Sequence, residues 1–195
     1  MRLTRERLSS RTEMGRSQCN YLIVNLGHFA MSPFRRRASR STVKQPADPG
    51  AARSVAIGLL ARRDYASGEL RERLQRKGFN AEVIEVTLAD LTGERALDDA
   101  RYAGNYVSYC VARGQGPLRI AAELRALGLP SDLIEVALAE GPDWRALVAD
   151  VRNRKFGPEP PADWPEKARQ ARFLQYRGFS SDHIRLALGA DFDLD

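Results

Sequence analysis

LQRKGFNAEVIEVTL, residues 74–88, returns as LRALGLPSDLIEVAL at 124–138 and again as LQYRGFSSDHIRLAL at 174–188. The offset is fifty residues each time. Leu74, Leu124 and Leu174 therefore align, as do Gly78, Gly128 and Gly178, then Ile84, Ile134 and Ile184, then Leu88, Leu138 and Leu188. Phe79, Leu129 and Phe179 follow the glycines, and Glu82, Asp132 and Asp182 stand two residues before the isoleucines. The chain reads as three copies of one unit. A repeat of this length is a supersecondary unit that cannot bury its apolar face alone, so neighbouring copies stack into an elongated body. Accidental similarity within a compact bundle is the competing reading, and a constant offset argues against it.

Each copy has helical periodicity. Leu70 and Leu74 fall one turn apart among Arg71, Glu72, Arg73, Gln75 and Arg76, the pattern of an amphipathic helix and not of an alternating strand. Gly78 stops that helix, because glycine takes the left-handed conformation of a helix C-terminus without a Cβ clash. A second helix follows at once. Asn80 and Ser180 suit its N-cap, Pro130 and Ser131 make a comparable start, and the acids at 82, 132 and 182 lie in the first turn, where the helix dipole favours negative charge. Its inner stripe is Val83, Ile84 and Leu88, then Leu133, Ile134 and Leu138, then Ile184 and Leu188. Upstream of each pair lies another helical stretch, Ala52 to Arg63, Asp98 to Ala112 and Asp143 to Lys155. Ser67 and Gly68, Gly116 and Pro117, and the longer Gly157 to Trp164 stretch supply the connecting turns, with Pro117 fitted to a first helical position. The predicted architecture is all-α, an elongated, curved array of three tandem three-helix repeats at 51–97, 98–141 and 142–195.

Residues 1–50 differ in character. They hold ten Lys or Arg against three acids, a net charge of +7, whereas 51–195 carry 21 basic and 22 acidic groups. The whole positive excess lies in the leader, so any nucleic-acid contact of the repeats must come from local clusters. Arg35, Arg36, Arg37 and Arg40 with Pro33, Pro46, Pro49 and Gly50 read as a flexible basic tail. The apolar patch from Tyr21 to Met31 is shorter than the roughly twenty residues a bilayer span needs. It also lacks a clear cleavage site. The preferred reading makes Met31 the true start and residues 1–30 an upstream extension of the reading frame.

Catalytic chemistry is not signalled. Cys19 and Cys110 form no CxxC, which points to a reducing compartment, and His28 and His183 lack the spacing of a metal site. No GxxxxGK[ST] or strand-linked GxGxxG occurs. The expectation is a non-enzyme without metal or cofactor. Asp98 and Asp99 open a helix, so capping is favoured over acid–base or cation chemistry. Gly114, Gly116 and Pro117 read as a turn, flanked by Arg113 and Arg119, which could reach an anion.

The central stretch Asp98-Asp99-Ala100-Arg101-Tyr102-Ala103, followed by Gly116-Pro117-Leu118-Arg119-Ile120 and by Glu123-Leu124 with Gly128, resembles the signature of the RecX family, bacterial regulators of the RecA recombinase. Leu59-Leu60-Ala61-Arg62-Arg63-Asp64-Tyr65 with Glu69-Leu70-Arg71 is similar to the family's opening repeat. Arg154-Lys155-Phe156-Gly157 and Arg172-Phe173-Leu174-Gln175-Tyr176-Arg177-Gly178-Phe179 are similar to its closing one. The resemblance spans about residues 52–190. The chain departs from the family in having Ser108, Tyr109, Cys110, Val111 and Ala112 where several basic residues are usual, and Leu127 where Lys is usual. Both changes thin the charge of the middle repeat, which has four basic residues against six acids.

The resemblance implies a cytoplasmic monomer that lies along the RecA filament on single-stranded DNA, without crossing a membrane, and mainly inhibits RecA's ATPase, recombinase and coprotease activities. A general DNA-binding helical-repeat protein is the alternative. The candidate contact residues are Arg71, Arg73, Arg76 and Lys77 in the first repeat; Arg101, Arg113, Arg119 and Arg125 in the second; and Arg169, Arg172, Tyr176 and Arg177 in the third. Tyr176 offers a ring for base stacking or protein packing, while Tyr102, Phe173 and Phe179 are read as mainly structural. With 27 arginines and four lysines, many of the arginines are expected to be solvated surface.

Overall fold

A computed structural model describes residues 46–189. The basic extension up to residue 45, the apolar patch with Cys19 and His28, the question of the start, and residues 190–195 lie outside the described residues. Within them are nine helices and no strand: α1 (Pro49–Leu60), α2 (Ser67–Lys77), α3 (Ala81–Gly93), α4 (Asp99–Ala112), α5 (Pro117–Ala126), α6 (Ser131–Ala139), α7 (Trp144–Phe156), α8 (Trp164–Arg177) and α9 (Ser181–Leu188).

The punctuation follows the sequence closely. Gly78, Gly128 and Gly178 all have positive φ, at 98°, 83° and 89°, and close α2, α5 and α8. Pro117 occupies the first turn of α5. Asp98 accepts from the Arg101 N–H, Asp143 from the Arg145 and Ala146 N–H groups, and Ser180 from the His183 N–H, each satisfying orphan donors of a helix start. Asn80 differs from expectation: it stands at the N-cap of α3 with extended backbone, but its side chain makes no capping bond. Its own N–H instead donates to the Pro46 carbonyl at 3.0 Å, which ties the chain entering α1 to the start of α3. The first helix also begins earlier than its sequence suggests, where the Asp48 carboxylate caps Gly50, and it ends sooner, at Leu60.

Each triplet of helices encloses its own core. Leu70, Leu74, Ile84, Leu88 and Leu91 centre the first, Tyr102, Ile120, Leu124 and Ile134 the second, and Val148, Leu174, Ile184 and Leu188 the third. Cys110 is buried in the middle core, where desolvation pushes its thiol up to about 12 and leaves it protonated at neutral pH. The third core departs from the pattern of the others. At the position of Leu70 and Ile120 it has Gln170, whose Oε1 accepts from the buried Arg152 Nε at 2.9 Å. Arg152 also donates to the carbonyls of Gly157, Pro158 and Glu159, so one buried cation holds the long α7–α8 connector.

The repeats join through their middle helices, end to end. Gly116, at the start of α5, donates its N–H to the Arg177 carbonyl (2.8 Å), and Leu118 donates to the Gly178 carbonyl (3.0 Å). Orphan donors of one helix N-terminus thus meet orphan acceptors of another helix's C-terminus, with the two dipoles head to tail. The same approach recurs one repeat earlier, where a Cβ on Gly68 in α2 would lie 2.3 Å from the Leu127 carbonyl oxygen and 2.9 Å from the Gly128 Cα at the end of α5. There Asp99 of α4 completes the joint, accepting from the Ser67 N–H at 2.8 Å and from its hydroxyl at 2.6 Å. Asp99 therefore caps, as its position suggests, but it caps α2 of the preceding repeat.

Candidate partner interface

Three of the first repeat's four candidate cations are held by acids of the same repeat. Arg71 makes a two-pronged pair with Glu85 of α3, at 2.6 and 3.0 Å, and that bond holds the Glu85 carboxyl below the usual carboxylate range. Arg76 pairs with Glu72 at 2.5 Å, and Arg73 pairs with Glu69 at 3.3 Å and lies over the Tyr65 ring. Lys77 is half-buried and has no ion pair among the described residues. Of the first repeat's contact candidates, Arg71, Arg73 and Arg76 are therefore charge-matched within the repeat. Arg101, in the second repeat, is bound similarly to Asp64 across the first junction (3.3 Å) and to Asp98 of its own repeat (3.9 Å).

At the second junction the arrangement is different. Arg113, at the end of α4, bonds the Tyr109 hydroxyl at 2.6 Å and has no carboxylate partner among the described residues. Arg177, at the end of α8, donates to the Arg113 carbonyl at 2.8 Å and packs over the Phe173 ring, also without a carboxylate. Arg119 lies beside them. Its Nε donates to Glu123 Oε1 at 2.9 Å, while Glu123 Oε2 accepts from the buried Tyr106 hydroxyl at 2.9 Å. The Glu123 bond pushes the Arg119 pKa up, so the cation is fixed in charge as well as position. Its guanidinium lies 5.8 Å from the centroid of the Tyr176 ring, which is 78% exposed. A relay of polar contacts thus runs from the second core to an aromatic surface on the third repeat.

Among the remaining candidates, Arg169 pairs with Glu166 at 2.8 Å and lies over Phe156. Arg172 donates to the Ala168 carbonyl at 3.3 Å, and neither it nor the exposed Arg125 has an acid partner among the described residues. The structure brings Arg113, Arg119, Tyr176 and Arg177 together across sixty residues of chain, and leaves Arg125 and the first-repeat cations apart from them. Arg154 and Lys155 of α7 join this cluster and were not among the candidates.

A second surface went unread in the sequence. Val86, Val136 and Leu186 occupy the same register of α3, α6 and α9, fifty residues apart, and are 52%, 57% and 58% exposed. Exposed acids lie near each: Glu82 and Asp90 on α3, Asp132 on α6 with Glu140 just past its end, and on α9 Asp182, which pairs with Arg185 beside Leu186. An aliphatic side chain facing solvent at one position is ordinary, but recurrence at three equivalent positions gives each repeat the same small apolar contact, within an acidic surround on the first two. The fifty-residue offset was the signal that could have found it. His183, by contrast, is a structural residue at the start of α9, 2.8 Å from Ser180 Oγ and against Phe179.

No group of three or more metal-ligating side chains occurs among the described residues, and none of their helices is long and apolar enough to cross a membrane. Compared with known protein families, residues 52–91 match RecX, first three-helix domain; residues 98–138 match RecX, second three-helix domain; and residues 145–188 match RecX, third three-helix domain. The chain is 45% identical over 145 residues to a Regulatory protein RecX of Pseudomonas fluorescens, covering 73% of this chain and 94% of the relative. It is 43% identical over 141 residues to that of Halorhodospira halophila, covering 72% and 88%. Among solved structures it is similar to a crystal structure of regulatory protein RecX (TM-score 0.62, 22% identity, 72% of each chain). It is also similar to that of RecX from Lactobacillus salivarius (TM-score 0.63, 18% identity, 71% and 93%). At those identities the structural likeness bears on the fold alone.

Proposed function

The chain belongs to the RecX family, whose members are regulatory proteins, and from that premise we propose that it binds RecA and its single-stranded DNA filament in the cytoplasm and restrains RecA's ATPase, recombinase and coprotease activities. It acts as a monomer and by binding, without a catalytic step or cofactor. The observation that carries this reading is the threefold recurrence of an exposed aliphatic residue at Val86, Val136 and Leu186, one on each repeat. A surface that repeats suits a partner that repeats, and three weak contacts on one chain raise avidity without any one strong site. The head-to-tail joints at Gly68 and Gly116 support it further, because they fix how successive repeats are presented.

The cations at the second junction favour a second contribution, to DNA held in the filament. General DNA binding without RecA is the competing reading, and ionic strength separates the two, since phosphate-driven binding falls steeply as salt rises. The test is RecA's DNA-dependent ATP hydrolysis on DNA already coated by RecA. Substoichiometric to equimolar amounts of the full chain are expected to inhibit it, and no inhibition would sink the regulator reading.

A further inference from the structure

Between the end of α4, the last turn of α7 and α8 lies an open cavity of about 230 Å³. Arg113, Arg154, Lys155 and Arg177 line it over a floor that includes Val151 and Phe173, and no carboxylate is among the lining residues. Arg154 is paired with Asp150, but Arg113, Lys155 and Arg177 have no carboxylate partner among the described residues. Elsewhere in the molecule the arginines of α2 and the start of α4 are matched by nearby acids. Three unmatched cations around one concavity with an apolar floor create a positive potential that an anion relieves.

Two of these cations are also held in place. Arg177 is fixed by the Arg113 carbonyl at 2.8 Å and by the Phe173 face, and Arg113 by the Tyr109 hydroxyl at 2.6 Å. Their donors are presented as a preset group on two different repeats, so the cavity exists only when the second junction is closed. The residue before Arg177 is Tyr176, whose exposed ring is backed by Arg119. A cationic cavity next to an exposed aromatic ring is the combination that binds single strands, with phosphate in the one and a base on the other.

We propose that this cavity holds a phosphodiester of single-stranded nucleic acid, bound by Arg113, Lys155 and Arg177, with an adjoining base stacked on Tyr176. The proposal deepens the DNA contact in the proposed function and rests on that reading for its role, though the site itself is testable on bare DNA. It also accounts for a middle repeat poor in charge. The second repeat contributes Arg113 to a site that the third repeat completes.

The test uses the full chain, a fluorescein-labelled oligo-dT and fluorescence anisotropy across a salt series. The double variant Arg113→Gln/Lys155→Gln is expected to bind at least tenfold more weakly at low salt, with the salt slope reduced by about 0.7 for the one phosphate no longer neutralised. Arg145→Gln, an exposed cation at the other end of α7, should bind as the parent does, and circular dichroism should show all three chains folded. Binding by the double variant equal to the parent's, or an equal loss in Arg145→Gln, overturns the site. Inorganic phosphate competing as well as the oligonucleotide would make it a site for free phosphate. Poly-glutamate competing as well would make it a peptide site, and either result overturns the assignment. RecA ATPase inhibition is measured on the same proteins: failure of the parent chain to inhibit, with the oligonucleotide result intact, removes the regulator reading and leaves the site standing.

Discussion

Gly116→Ala is expected to destabilise the chain by roughly 3 kcal/mol, in the range that backbone clashes and lost buried hydrogen bonds reach. The backbone at Gly116, φ −89° and ψ 165°, is open to any residue, so conformational strain is not the cause. The cause is contact: an added Cβ would lie 2.4 Å from the Gly178 oxygen, 2.5 Å from its carbonyl carbon and 2.6 Å from the Phe179 nitrogen. All three are backbone atoms, and no rotamer change relieves them. The joint must open, which removes the Gly116–Arg177 and Leu118–Gly178 hydrogen bonds together. Gly104→Ala in α4 is the matched control, because its Cβ meets nothing within 4 Å and a helical alanine is favoured over glycine by about 0.5–1 kcal/mol. Urea unfolding followed by circular dichroism should show a lower midpoint for the first variant and an equal or higher one for the second. An unchanged midpoint for Gly116→Ala would mean that the repeats do not meet at this joint.

The second large effect is on function. Val86→Asp/Val136→Asp/Leu186→Asp is expected to raise the concentration needed for half-inhibition of RecA at least tenfold, about 1.4 kcal/mol or more of lost interaction. All three positions are more than half exposed, so the substitutions leave the cores intact and unfolding midpoints should shift by less than about 0.5 kcal/mol in stability each. Single substitutions should cost less than their share of the triple, since multivalent contact tolerates the loss of one arm. Retained inhibition by a folded triple variant would move the RecA contact to another surface.

These two variants mark what the sequence discloses and what it withholds. The glycines at 78, 128 and 178 and the apolar stripes around them define helices and cores by local rules, so the three-helix repeats were legible from spacing alone. Which atoms the joints bring together was not. Gly116 reads as turn chemistry until Gly178 is placed against it, and Asp99 reads as a cap for α4 until Ser67 is found beneath it. Arg76–Glu72 could be anticipated as neighbours one turn apart, whereas Arg71–Glu85 joins two helices and depends on their packing. For the same reason the cluster of Arg113, Lys155 and Arg177, contributed by three helices and two repeats, could not emerge from any one stretch. Arg152 and Gln170 conceal themselves differently: each is a polar residue of a type usually found at the surface, yet they pair inside the third core.

The central claim is that the repeats engage RecA protomers along a filament, with DNA contact secondary. Saturation binding of the fluorescently labelled full chain to preformed RecA filaments, compared with bare single strands at low and raised salt, tests it most directly. Saturation is expected at a fixed ratio to RecA protomers, with filament binding persisting at salt concentrations that abolish binding to bare DNA. Binding that tracks DNA length, ignores RecA and collapses equally with salt in both cases would contradict it.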